Sequence, residues 1–410
     1  MVYAGRVLSF GTAHGLSDSV WRRLVAVLLA GSAVAFLWLS VPSGAVGDVP
    51  VYENGIRRLL GGERPWADFV YEYPPLTLVL GLFPSLAPQG AGFRYAFATE
   101  MLLVHLVLGW LLLREGRAAL LGWLALAPFA LLTASAVLLE YVYLRRFDVV
   151  TSLVCVLAVL ATRDGKHAQA AAWIAVGVGL KLYPGVLLPV ALVPAWRARR
   201  LGAAVAGFGV GSSPLALAAL LGLPWWRIVA FHSGRGLQAE SLGGSLLWLF
   251  HRLGLAQAEW TWLEKWVEIS GPSALAIRAA TSLAFLGAVA SSVALSAWFL
   301  WKIPAPSLGE LARAALTPIA AALVFSSVLS PQFLVWLVGL AGLSMTDGRW
   351  RVPLLVLAAT ALVPLFYPSG EYGPGLELPR TLALVARNLL LLGTWFELLR
   401  SLKSARRAPQ

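Results

Sequence analysis

Apolar stretches long enough to cross a bilayer follow one another along this chain, and no other feature limits its fold so severely. The hydrocarbon core takes roughly 20 apolar residues per helix. By that measure spans are predicted near residues 21–41, 95–113, 118–138, 146–163, 201–222, 277–301, 312–328, 331–345, 351–367 and 382–401. Residues 168–196 read as two short helices broken at Lys181–Pro184. The total is about 12 spans at this helix length. The predicted fold is an all-α polytopic membrane bundle forming a single domain over residues 1–410.

Composition supports this reading along the whole length. Of the 410 residues, 59% are hydrophobic and 13% charged, against about 25% charged in a soluble domain. A cleaved signal peptide would not spread its apolar character so far. The formal charge of +12 would suggest nucleic acid in a soluble protein. Here the basic residues collect in short loops, where they set orientation, and no basic, aromatic nucleic-acid surface is visible. Cys155 is the only cysteine, which excludes an intrachain disulfide. No zinc, P-loop or dinucleotide signature occurs, and the five histidines lack ligand spacing. No cofactor is expected, although carboxylate ligation of Mg²⁺ or Ca²⁺ stays compatible with the sequence.

The loops give the chain its sides. Arg22-Arg23, Arg163–Lys166, Trp196–Arg200, Arg349–Arg351 and the Arg400, Lys403, Arg406, Arg407 tail are basic and short, so they read as cytoplasmic. The outer face is left with 42–74, 139–147, 223–276, 329–331 and 368–381, which are richer in acidic, aromatic and amide residues. Arg23 and Arg114–Arg117 would share the cytoplasmic side, so 75–94 must leave and return on the outer side. About 20 residues cannot cross twice. A short juxtamembrane or re-entrant helix is therefore expected over 75–90, turned in by Pro74-Pro75.

The string "GDVPVYENGIRRLLGGERPWADFVYEYPPL" (47–76) interrupts the apolar pattern. Val49, Tyr52, Ile56, Leu59 and Leu60 fall on one helical face, with Glu53, Asn54, Arg57 and Arg58 on another. This predicts an amphipathic helix on the membrane surface, ended by Gly61-Gly62. Asp48 stands just before it. It either caps the helix with its carboxylate or is held at the surface as a general base. Glu72, between Tyr71 and Tyr73, needs a partner beside lipid, and Arg57, Arg58 and Arg64 are the expected ones. Glu53, Glu63 and Asp68 are assigned to the solvated surface. Asp148 caps its helix, pairs with Arg145 or Arg146, or faces the first outer loop.

Lys181, within an apolar run, either snorkels to the interface or meets a phosphate at the outer border. In "FHSGRGLQAES" (231–241), Arg235 offers a planar fork suited to phosphate or sugar hydroxyls, although an ordinary loop looks similar. "SSVLSPQF" (326–333) reads as a tight turn, or as part of a cleft in which Gln332, Tyr183 and Trp336 hold a sugar.

Taken in order, these strings resemble the polytopic glycosyltransferases of the GT-C fold, and within them bacterial glycosyltransferase family 87. That family includes polyprenyl-phosphate-mannose-dependent α-mannosyltransferases. The resemblance rests on Asp48, "YEYPPL" (71–76), Phe147-Asp148, "LKLYP" (180–184), "RGLQAES" (235–241) and "SPQF" (330–333). It departs at Arg145-Arg146-Phe147-Asp148, where many members carry Gly-Gln-x-Asn. It implies a helical bundle with a juxtamembrane helix on its outer face. It also implies an inverting transfer from a polyprenyl-phosphate sugar donor to a hydroxyl of a glycolipid or glycan acceptor. Asp48 would be the base. Lys181, His232 and Arg235 would meet the lipid phosphate, and Glu72, Tyr73, Asp148, Gln238 and Gln332 would line the sugar or acceptor pocket. The implied sugar is mannose, with arabinose next, and the implied site is the outer face of the bacterial cytoplasmic membrane. A lipid or sugar transporter is the competing reading. It calls for inverted repeats and paired charges near the midplane, and no repeat is apparent.

Overall fold

The computed structural model describes residues 17–40, 48–263, 266–367 and 376–404, with backbone alone for 36–40. The start of the first outer loop (42–47), most of 368–381 and the Arg406-Arg407 pair lie outside the described residues.

Among the described residues, three helices have the length and composition to cross a membrane: Ala91–Ala119, Ala274–Lys302 and Leu378–Ser404. A fourth is added if Leu201–Gly211 and Ser213–Leu220, bent by 48°, count as one span. The chain is a multi-pass membrane protein. Other apolar segments are shorter, among them Gly122–Leu138, His167–Leu180 and Arg351–Phe366, so the total of about 12 spans stays an expectation.

The centre of the bundle is formed by Leu308–Val324 and Val335–Ser344, whose side chains are almost all buried. Asp148–Arg163, Ala274–Lys302 and Leu378–Ser404 pack around them. Leu308–Val324 starts at a capping box: Glu310 N–H donates to Ser307 Oγ, and Ser307 N–H donates to Glu310 Oε2 at 2.9 Å. Helices His167–Leu180 and Leu201–Gly211 approach through small residues. A Cβ on Gly207 would fall 2.0 Å from the Ala168 carbonyl oxygen.

The break expected at Lys181–Pro184 is present. The helix ends at Leu180, Lys181 is extended, and a 3₁₀ turn over Tyr183–Leu187 leads into Leu188–Arg197. The surface helix is also present, as Val49–Leu60. It closes at Gly61-Gly62, where Gly62 and Glu63 N–H groups turn back to the Leu59 and Arg58 carbonyls, both at 3.0 Å. Leu76–Leu82 follows, with a 3₁₀ turn over Pro84–Leu86. At 1.5 Å per residue it is about 10 Å long, too short to span.

Glu53 departs from its assignment to the solvated surface. It is buried and accepts bonds from Gly90 N (2.9 Å) and Arg57 Nε (3.0 Å), tying the surface helix to the start of Ala91–Ala119. Glu63 and Asp68 remain outward, paired with Arg58 and Arg64.

The 223–276 segment is folded. It holds helices Arg227–Ser233 and Leu242–Arg252 and an antiparallel hairpin, Glu259–Trp262 with Val267–Ser270. This hairpin was not foreseen, and it sits within an otherwise helical fold.

Gly55 faces Tyr71, and a Cβ there would lie 2.4 Å from Tyr71 Cε2. Overpacking a filled contact of this kind costs about 1–3 kcal/mol. Gly55→Ala is therefore expected to lower the thermal midpoint of the detergent-solubilised protein. An unchanged midpoint would mean that the Tyr71 ring is free to move.

Candidate active site

Among the described residues, parts of 48–74, 139–147, 223–276 and 329–331, segments that the loop charges assign to the outer face, converge on one place. The extended run after Asp68 brings Tyr71, Glu72 and Tyr73 against the N-terminus of the surface helix. Tyr52 meets Tyr73 edge to face at 5.2 Å, and both meet Phe147 edge to face at 5.3 and 5.2 Å. Aromatic packing thus binds the first outer loop to the Arg145–Asp148 turn. Arg227 Nη1 donates to the Trp66 carbonyl (2.9 Å), and Gln238 N–H donates to the Ser327 carbonyl (2.9 Å). These bonds draw in 227–241 and 326–336.

Three carboxylates and three cations meet here, in pairs that the sequence did not assign. Asp48 begins the surface helix without capping it with its side chain. Instead its Oδ2 accepts Tyr73 Oη–H and Arg146 Nη1–H, both at 2.5 Å. Among the described residues no hydrogen bond reaches Oδ1. Burial, and then the Asp48 charge, raises the Tyr73 phenol well above its ordinary range, so it stays a donor. Burial is the largest influence and opposes the Arg146 charge, but Asp48 and the tyrosines around it, Tyr73 and Tyr52 among them, together hold the guanidinium above its ordinary value.

Asp148 neither caps its helix nor pairs with Arg146. Its Oδ1 accepts Lys181 Nζ (2.6 Å) and Trp336 Nε1 (2.5 Å). Lys181 also stands 5.0–5.1 Å from the rings of Phe147, Phe333 and Trp336. Its charge is therefore balanced within the protein. Asp148 Oδ2 is buried without a partner.

Glu72 pairs with Arg235, at 3.5 Å, and not with the nearby arginines. The reason is local: Arg57, Arg58 and Arg64 each reach a carboxylate within five positions, in Glu53, Glu63 and Asp68. Those pairs form without ordering any distant chain. Arg235 Nε is buried and unpartnered, as is Arg146 Nε.

His232 lies beside this pair, with Nε2 3.0 Å from the Glu72 carbonyl. A carbonyl only accepts, so Nε2 carries the proton, and neutral His232 turns only an acceptor, Nδ1, to any ligand. Burial, and then the Arg235 charge, pushes its pKa down to about 4. The folded value lies below the unfolded one of about 6.5. Stability from this group is thus present above pH 6.5 and fades as pH falls toward 4. His232→Asn is expected to flatten the stability–pH profile over that interval, measured as thermal midpoints from pH 7 to 4. A profile identical to wild type would remove this contribution.

Gln332 is buried, and its Oε1 accepts Ser330 Oγ at 2.5 Å. The rings of Tyr183 and Trp336 stack at 3.9 Å, and Phe333 covers Trp336 at 4.2 Å. Trp336 thus has both faces covered and offers no open platform for a sugar. Among the described residues no group of three or more His, Cys, Asp or Glu stands ready for a metal.

Arg146 was missed as a site residue because it reads as the pairing partner of its neighbour Asp148. Trp266 and Glu268 were missed although Val267 and Ile269 alternate with them, a period-two signal for a strand.

The family model described as glycosyltransferase family 87 matches residues 71–331. The match takes in Glu72, Tyr73, Asp148, Lys181, Tyr183, His232, Arg235 and Gln238; Asp48 precedes it and Gln332 follows it. No curated protein matches the chain. Among solved structures, ArnT from Cupriavidus metallidurans in the apo state is 15% identical, covers 94% of this chain and 78% of its own, and has a TM-score of 0.47. The same protein bound to undecaprenyl phosphate is 16% identical, covers 95% and 79%, and has a TM-score of 0.41. With about two thirds of its length in the family match, including most of the residues gathered around the three ion pairs, this chain belongs to glycosyltransferase family 87.

Proposed function

We propose that this glycosyltransferase inverts the anomeric carbon while moving a sugar from a polyprenyl phosphate to a hydroxyl of a glycolipid or glycan. One observation carries the reading. Asp48 is held through Oδ2 by Tyr73 and Arg146, which leaves Oδ1 to take a proton. A hydroxyl is a poor nucleophile until a base removes its proton. The acceptor O–H proton passes to Asp48 Oδ1 as the oxygen bonds to the anomeric carbon. The bond from that carbon to the phosphate oxygen breaks on the opposite face, and its electron pair leaves with the phosphate.

The departing charge needs cations. Each of Arg146, Lys181 and Arg235 already faces a carboxylate, and Arg235 and Arg146 fit that need through a buried Nε that has no partner. Asp148 Oδ2, buried without a partner, and the buried amides of Gln238 and Gln332 are the groups assigned to the sugar. A polyprenyl chain remains in lipid while its phosphate reaches the interface, which accounts for a membrane-embedded enzyme. The loop charges favour the outer face of a bacterial cytoplasmic membrane. Mannose is the first donor sugar to test.

In the test, purified protein in liposomes receives radiolabelled polyprenyl-phosphate mannose and a membrane lipid extract. A labelled glycolipid or glycan of inverted configuration is the expected product. Absence of transfer from polyprenyl-phosphate mannose and arabinose alike would overturn the donor assignment.

A further inference from the structure

The paired strands Glu259–Trp262 and Val267–Ser270, with Trp266 beside them, are left unused by the proposed chemistry, yet they touch the site. The Arg235 guanidinium carbon lies 4.1 Å from the centre of the Trp266 ring. The same guanidinium meets Glu72, with Nη2 3.5 Å from Oε2. Trp266 is itself fixed: its indole N–H donates to Glu268 Oε1 at 2.8 Å, and its carbonyl accepts Leu263 N–H at 2.9 Å.

Glu268 Oε1 also accepts the N–H of Gly236, the residue after Arg235, at 2.7 Å. There is no room for a larger residue at that position, since a Cβ on Gly236 would lie 2.0 Å from Glu268 Oε2. Beyond it, Ile269 N–H donates to the Leu237 carbonyl and Ala239 N–H to the Val267 carbonyl, at 2.8 and 3.0 Å. Residues 237–239 therefore run along the hairpin edge, and one carboxylate fixes both the aromatic ring and the backbone that carries Arg235.

A guanidinium lying on an aromatic face keeps its in-plane N–H groups free to donate. Long, flexible arginine side chains otherwise lose rotamer freedom when they engage a ligand. A platform that fixes the plane in advance reduces that loss. We propose that Trp266, held by Glu268, is a positioning residue that aims Arg235 at the donor phosphate. This rests on the donor reading given above.

The test uses full-length protein in liposomes, with undecaprenyl phosphate as a binding probe and polyprenyl-phosphate mannose as donor. Trp266→Ala is expected to raise donor KM and probe Kd about tenfold, or 1.4 kcal/mol, with kcat within about twofold of wild type. Trp266→Phe, which keeps a smaller ring face, should recover most of the affinity. In an Arg235→Lys background, where the planar fork is gone, the penalty of Trp266→Ala should largely disappear. Glu268→Gln, which keeps an acceptor oxygen, serves as the second variant if Trp266→Ala fails to fold, and a donor KM above wild type is expected for it. Wild-type protein that neither binds nor transfers removes the donor reading and this inference with it. Wild-type protein that does both, beside unchanged affinity in Trp266→Ala or penalties that simply add in Arg235→Lys, overturns the inference alone.

Discussion

Asp48→Asn is expected to slow transfer by about 10²–10⁴-fold, the usual contribution of a positioned general base. The amide oxygen still accepts Tyr73 Oη–H or Arg146 Nη1–H, so the local geometry survives. What is lost is the capacity to take a proton at the second oxygen. The substitution also leaves a partly buried Arg146 charge without its counter-ion. Some stability should go with it, so rates are compared on protein that elutes as a single folded species. The measurement is kcat at saturating donor and acceptor, with Kd for undecaprenyl phosphate measured separately. A large fall in kcat with little change in Kd places the defect in the chemical step. Folded Asp48→Asn that transfers at the wild-type rate would remove Asp48 as base.

The second large effect falls on stability. Asp148 is the most deeply buried carboxylate of the site, and it holds both Lys181 and Trp336. Asp148→Ala leaves a buried ammonium without its counter-ion, a change that costs about 3–5 kcal/mol. Total stability is itself only about 5–15 kcal/mol. A large loss of folded protein is expected, read as yield after size exclusion and as thermal midpoint. Replacing both members with apolar residues, Asp148→Leu with Lys181→Met, should restore most of the midpoint, because removing a buried pair together is often neutral. The aromatic rings around Lys181 would accept a methionine side chain. A double variant no more stable than Asp148→Ala would show that the pair does more than cancel its own charges. Transfer activity in a folded double variant then reports whether Asp148 touches the sugar.

Much of this protein was legible in its sequence. The surface helix, its glycine stop and the break at Lys181–Pro184 follow from periodicity, from the missing proline N–H and from the cost of charge beside lipid. These are local properties. The ordered strings that carried the family resemblance also come together in space. The hairpin was harder to see, because its strands are four residues each and lie in a long polar stretch with other outer-loop features. Glu53 was misplaced because it stands among polar neighbours on a helix whose other face is apolar. The Gly90 N–H that reaches it comes from a segment 37 positions away.

What the sequence determined by itself is a helical membrane protein with its polar chemistry gathered in a few segments between apolar helices. Apolar length and charge cost decide that residue by residue, whatever the rest of the chain does. Which charge neutralises which was decided only by tertiary structure. Asp48 reaches Arg146 across 98 positions, and Asp148 reaches Lys181 across 33. Each carboxylate had a basic residue closer in sequence than the partner it found. An ion pair is selected by distance, burial and the hydrogen bonds that complete it. Those become defined only when the helices have packed, and they hold Asp48 against Tyr73 and Arg146 where the sequence alone left a helix cap and a general base both open.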